Sequence, residues 1–127
     1  MNKRIVLAED EPSIVESLRF LLGRAGYHVD IHGNGLAALK AIQADPPDMA
    51  ILDVMLPEMD GFEILRNVRS NEETRHLPVL ILTAKGQRED RERAIDGGAD
   101  IFISKPFANA DLMDAVANLA AQAEAAE

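Results

Sequence analysis

Three carboxylates in a row, Glu9, Asp10 and Glu11, follow the apolar run "RIVLA" and precede Pro12. Like charges this close repel one another, and burial at the end of an apolar strand disfavours their ionised form. Two arrangements accommodate them: acids at the N-terminus of a helix, where exposed N–H groups favour negative charge, or ligands around a cation. The stretch by itself leaves both open. Three further polar residues also stand just behind apolar runs: Asp53 in "AILDVMLPEMDG", Thr83 in "LILTAKG" and Lys105 in "FISKPF". Singly, each has a plain reading as helix cap, turn former or solvated charge. Together they make a chemical set. Clustered carboxylates favour a hard cation such as Mg²⁺, which takes one or two carboxylates, several waters and a phosphate oxygen. A lysine and a hydroxyl beside that cation would cradle a phosphoryl group, and a central carboxylate could act as nucleophile and form an aspartyl-phosphate. As a set, the acids behind the first run are most economically explained as half of a Mg²⁺ site.

That chemistry requires the elements to deliver these residues to one place. Five short apolar runs recur along the chain, at 4–8, 28–31, 49–52, 79–83 and 101–104, and a helix-like pattern follows each. Pro12 suits a first helical turn, Ile14, Val15, Leu18, Leu21 and Leu22 keep helical spacing, and Gly26 is a stop signal. Leu36, Leu39 and Ile42 mark a second helix, ended by Asp45-Pro46-Pro47. Phe62, Ile64, Leu65 and Val68 mark a third, "QREDRERAID" a fourth, and Leu112, Ala115, Val116 and Leu119 a fifth. Runs of Val, Ile and Leu without alternation predict strands buried on both faces, as helices on both sides of a parallel sheet produce. The chain therefore reads as (βα)₅, an α/β doubly wound fold. In such sheets ligands gather outside the carboxyl ends of the strands, which is where Asp10, Asp53, Thr83 and Lys105 stand.

A length of 127 residues and a hydrophobic content of 47% fit one domain, residues 1–127. There is no cysteine, which excludes disulfides and thiolate metal sites. No signal-peptide pattern opens the chain and no stretch of 18 apolar residues occurs, so a cytoplasmic location and no membrane partner are expected. The formal net charge of -9 argues against direct nucleic-acid binding, which needs clustered Lys and Arg. The tail "LAAQAEAAE" reads as a helix fraying into solvent rather than a linker. Met49, Met55 and Met113 are expected to fill core gaps. His28, His32 and His76 lack ligand spacing, and the alternating charges before Gly97-Gly98 indicate a solvated helix face.

Over essentially its whole length the chain resembles the receiver domains of bacterial two-component response regulators. The resemblance is carried by Glu9-Asp10 with Glu11-Pro12 behind, "LDVMLPEMDGFE", Thr83-Ala84, "GGAD" and "SKPF", in that order and at those intervals. It implies a flavodoxin-like three-layer sandwich with sheet order 2-1-3-4-5. It implies Asp53 as phosphoacceptor and Mg²⁺ as cofactor, with Asp10 a direct ligand, Glu9 acting mainly through water and the Met55 carbonyl completing the protein ligands. Lys105 would pair with Asp53 and then with the phosphoryl oxygens, Thr83 would move its hydroxyl onto the phosphoryl group, and Phe102 would turn inward as it does. The Lys105-Pro106 bond would be cis. A sensor histidine kinase or histidine phosphotransfer protein would be the donor, with an unspecified protein downstream, or none if the chain is a phosphorelay intermediate or phosphate sink.

Two features depart from the family pattern. Glu9 replaces the usual first Asp, and residues 106–127 carry acids but no basic residue. Pairing of Arg88, Arg91 or Arg93 with Asp111 or Asp114 would then be the route to self-association, giving a monomer or a weak phosphorylation-dependent dimer. Rival classes fit less well. A flavin carrier would not place "EDEPS" against a phosphate, an aspartate-nucleophile phosphatase would have an acid where Met55 stands, and an inert interaction module would not keep the whole set.

Overall fold

The computed structural model describes residues 3–84 and 88–125. Strands and helices alternate: β1 (Lys3–Ala8), α1 (Pro12–Arg24), β2 (Tyr27–His32), α2 (Gly35–Ala44), β3 (Met49–Asp53), α3 (Gly61–Ser70), β4 (Val79–Thr83), α4 (Arg88–Asp96), β5 (Ile101–Ser104) and α5 (Asn109–Ala125). The strands form one sheet in the order β2-β1-β3-β4-β5, every pair parallel. The strand order reverses beside β1, and the ends of β1 and β3 lie next to each other there, as the α/β ligand rule requires.

Alternation along each strand splits the core between the two faces of the sheet. Val6, Ala8, Ala50, Leu52, Val79 and Ile81 pack against α2, α3 and Ala94 of α4. Ile5, Leu7, Met49, Ile51, Leu80 and Leu82 pack against Leu18 and Leu22 of α1 and Leu112, Val116 and Leu119 of α5. Burying one such side chain stabilises the fold by roughly 1.5–3 kcal/mol, so both helical layers are held by several contacts of that size. The expectation of strands buried on both faces holds for β3, β4 and the second half of β1; β2 and β5, at the edges, are only half-buried.

Local signals set the helix ends. Pro12 occupies the first turn of α1; Asn34 accepts the Ala37 N–H at 3.0 Å to cap α2, and Asp60 accepts the Glu63 N–H at 2.9 Å to cap α3. The Lys105-Pro106 bond is cis, as expected.

Several minor expectations resolve at this level. Met49 is buried and Met113 packs against the second core, but Met55 is 60% exposed and fills no gap, because it lies in the loop beyond β3. His28 and His76 are exposed, and His32 is half-buried with Nε2 3.3 Å from Asp30 Oδ1. α4 buries only Ala94, so its charges do form a solvated face. Gln87, expected to begin that helix, and Glu127, expected in the fraying tail, lie outside the described residues. Among the described residues no helix is long and apolar enough to cross a membrane.

Candidate functional site

The strand register brings the singled-out residues to one sheet edge. Asp53 is the last residue of β3 and pairs with Leu82, and Thr83 closes β4 opposite Ser104. The Lys105 N–H donates to the Thr83 carbonyl at 2.7 Å, and the Glu9 N–H donates to the His32 carbonyl at 3.1 Å, so Glu9 and Lys105 each extend the ladder one step beyond its strand. Glu9, Asp53 and Thr83 are buried at 1%, 3% and 1% exposure. Asp10, one residue further out, is exposed.

The loop from β3 to α3 is held in place by two close approaches. A Cβ at Gly61 would lie 2.5 Å from the Asp53 carbonyl oxygen, and the Gly61 N–H donates to the Val54 carbonyl at 3.1 Å. A Cβ at Gly35 would lie 1.7 Å from the Met59 carbonyl oxygen, so only glycine lets the start of α2 meet this loop. Glu58 adopts a φ of 66°, a conformation costly for a residue with a Cβ. Asn34 Nδ2 donates to its carboxylate at 2.6 Å and anchors it there. These contacts hold both ends of the loop that carries Met55 beyond Asp53.

Carboxylate oxygens of Glu9, Asp10 and Asp53 all lie within 4.8 Å of one another. Glu9 Oε2 accepts the N–H groups of Asp10 and Glu11, each at 3.1 Å. Lys105 Nζ stands 2.8 Å from Glu9 Oε1, 3.3 Å from Asp53 Oδ2 and 4.0 Å from Glu11 Oε2. Burial, followed by the charge of Glu9, pushes the Asp53 carboxyl up to about 6 against the opposing pull of Lys105. Burial works against the Lys105 ammonium too, but contact with Glu9 and Asp53 outweighs it and raises the lysine above its usual value.

These residues fit a divalent cation. Asp53 Oδ1 is buried and has no hydrogen-bond partner among the described residues. An orphaned carboxylate oxygen inside an acidic cluster is a costly arrangement that a hard cation relieves. Glu9, Asp10 and Asp53 each offer a carboxylate oxygen close enough to share one ion, and Met55 lies in the loop just beyond Asp53. Phe102 lies half-buried on β5, packed against the core face shared with Val54, Phe62 and Ala94. What sequence reasoning missed is the direct contact of Glu9 with Lys105. The extra methylene of glutamate at that position marks the departure but does not by itself point to Lys105.

A five-stranded parallel sheet with buried acids, a threonine and a lysine converging on its carboxyl edge is the arrangement of a receiver-type signalling domain. The family model for the response regulator receiver domain matches residues 5–117, and the chain belongs to that family. It is 41% identical over 113 residues to the response regulator MprA of Mycobacterium ulcerans, covering 89% of this chain and 48% of the relative. The chain thus spans about half the length of the curated relatives it matches. A CheY-like receiver domain protein from Methanospirillum hungatei superposes over 100% of both chains with TM-score 0.92 at 25% identity. The receiver domain of a Pseudomonas aeruginosa sensor histidine kinase, solved with magnesium coordinated in its active site cleft, matches with TM-score 0.82 at 28% identity, covering 95% of this chain and 99% of that one.

Proposed function

We propose that residues 1–127 act as one cytoplasmic receiver unit that accepts a phosphoryl group on Asp53 from a sensor histidine kinase or a histidine phosphotransfer protein. The observation that carries this reading is Asp53 itself: a buried carboxylate with one oxygen lacking a hydrogen-bond partner and the other 3.3 Å from an ammonium. An Asp53 oxygen attacks phosphorus, the P–N bond to the donor imidazole breaks, and the imidazole leaves with the electron pair and takes up a proton. An acyl phosphate forms. Attack needs the ionised carboxylate, and a pKa of about 6 leaves most of Asp53 ionised near pH 7.

Lys105 brings a positive charge to the oxygens over which negative charge spreads, so the protein contributes positioning and electrostatics rather than a further covalent step. A Mg²⁺ ion held by Asp10, Asp53 and the Met55 carbonyl would neutralise charge on the phosphoryl oxygens. The Thr83 hydroxyl then engages the phosphoryl group and Phe102 follows, altering the face formed by α4, β5 and α5 on which a downstream protein binds. The net charge of -9 supports a protein target over direct nucleic-acid contact.

The test is incubation with Mg²⁺ and acetyl phosphate followed by intact mass. One added phosphoryl group on the wild type and none on Asp53→Asn is the expected result. No adduct on the wild type would overturn the reading.

A further inference from the structure

Lys105 touches two buried carboxylates, and the nearer is not the proposed nucleophile: Nζ is 2.8 Å from Glu9 Oε1 and 3.3 Å from Asp53 Oδ2. The other oxygen of Glu9 is committed to the main chain, where Oε2 accepts the N–H groups of Asp10 and Glu11. Those two bonds fix the plane of the carboxylate, and at 1% exposure almost no water competes for it. Oε1 makes no aligned hydrogen bond among the described residues, so its tie to Lys105 is the 2.8 Å ion pair that this fixed carboxylate presents. The lysine needs such a hold. Its ammonium is a point charge with three donors on a flexible four-carbon stem, and with Asp53 as sole partner it would settle on the nucleophile and withdraw the electron density that attack requires.

We propose that Glu9 is the positioning residue for Lys105: through the Oε1–Nζ contact it holds the ammonium beside Asp53, with a donor left for the transferring phosphoryl group. The inference rests on the reading of Asp53 as phosphoacceptor. It differs from a role for Glu9 confined to water-mediated metal binding, because an effect transmitted through Lys105 vanishes when Lys105 is absent, whereas an effect on the metal does not.

The full chain is assayed for the rate of adduct formation against acetyl phosphate concentration at saturating Mg²⁺. Glu9→Gln keeps the side-chain length and an oxygen for the main-chain N–H groups but turns an amide toward Lys105. Its maximum rate is expected to fall about tenfold, with the half-saturating donor concentration nearly unchanged and no recovery in excess Mg²⁺. Lys105→Ala is expected to be slower still, and the double variant no slower than Lys105→Ala alone, since residues acting as one unit are not additive. Losses that multiply in the double variant, or recovery of Glu9→Gln in excess Mg²⁺, would overturn the proposal.

A second measurement avoids phosphorylation altogether. In the metal-free protein the ¹⁵N-resolved ammonium signal of Lys105 is expected to survive Asp53→Asn and to broaden away in Glu9→Gln; the reverse pattern would make Asp53 the anchor and refute the idea. A wild type that takes no phosphoryl group would count against the Asp53 reading, while this spectroscopic arm still decides the anchor.

Discussion

Asp53, the proposed phosphoacceptor, is buried at a cost to the metal-free fold. Its folded-state carboxyl stands near 6 against an ordinary 3.8, a difference on the order of 3 kcal/mol at the roughly 1.4 kcal/mol that each pKa unit represents. The sign follows from linkage. A raised folded-state value means that the folded protein holds this proton more tightly than the unfolded chain does. The contribution is fully present below pH 4, is lost as the pH rises from about 4 through about 6, and leaves an ionised, crowded carboxylate above that. In EDTA, Asp53→Asn is therefore expected to be more stable than wild type by about 1–3 kcal/mol at pH 7.5 and about equal at pH 4, by urea unfolding; equal stability at both values would contradict the burial argument. Mg²⁺ is expected to raise the melting temperature of the wild type by binding the folded state, and an equal rise in Asp10→Ala would place the ion elsewhere. At this scale the acids, Thr83 and Lys105 were legible because each follows an apolar run. The Glu9 to Lys105 contact was not, since it joins residues far apart in the chain and depends on one methylene of reach.

The elements hold the site through close approaches that a single methyl group would disturb. At the start of α3, Gly61→Ala would put a Cβ 2.5 Å from the Asp53 carbonyl, and either the helix or the end of β3 must move. A loss of roughly 2 kcal/mol is expected, together with altered amide shifts at Asp53 and Val54; unchanged shifts would show that the loop absorbs the methyl at no cost to the site. At the opposite end of α3, Arg69 donates to the Gly98 carbonyl from Nε at 2.9 Å and Nη2 at 2.8 Å, and to the Leu77 carbonyl from Nη1 at 2.7 Å, while Nη2 pairs with Asp100 at 3.2 Å. This ties α3 to the loops leading into β4 and β5. Arg69→Ala leaves those carbonyls without their donor and is expected to cost about 1–3 kcal/mol, read as a lower urea midpoint; a variant as stable as wild type would show that solvent replaces the clamp. The order of elements was legible because apolar runs and helical spacing alternate cleanly. The half-exposure of β2 and β5 was not legible in "HVDI" and "IFIS" themselves, although the sheet order implied by the resemblance already put both strands at the edges, and neither "DG" nor "NG" shows how closely Gly61 and Gly35 must pack.

For the molecule as a whole, charge bears on the proposed self-association. Two arginines of α4 are already engaged within the chain: Arg88 pairs with Glu92 at 3.1 Å, and the Arg93 guanidinium lies 4.2 Å from the centre of the Phe62 ring. That leaves less cationic surface on α4 to meet Asp111 and Asp114 of a second copy, and exposed ion pairs contribute only about 0.2–1 kcal/mol each. Light scattering at micromolar concentration is therefore expected to give a monomer, with at most weak dimerisation after beryllofluoride treatment; a stable activated dimer would contradict this. The overall architecture was legible from the alternation of runs and helices together with the family resemblance, whereas the arginine over Phe62 follows from helix packing that no linear pattern displays. The central claim, that Asp53 carries the phosphoryl group, is tested most directly by treating the protein with Mg²⁺ and acetyl phosphate, reducing it with borohydride and mapping its peptides by mass. An acyl phosphate at Asp53 predicts homoserine at position 53 and no other altered carboxylate; an unmodified residue 53, or reduction at Glu9 or Asp10 instead, would contradict it.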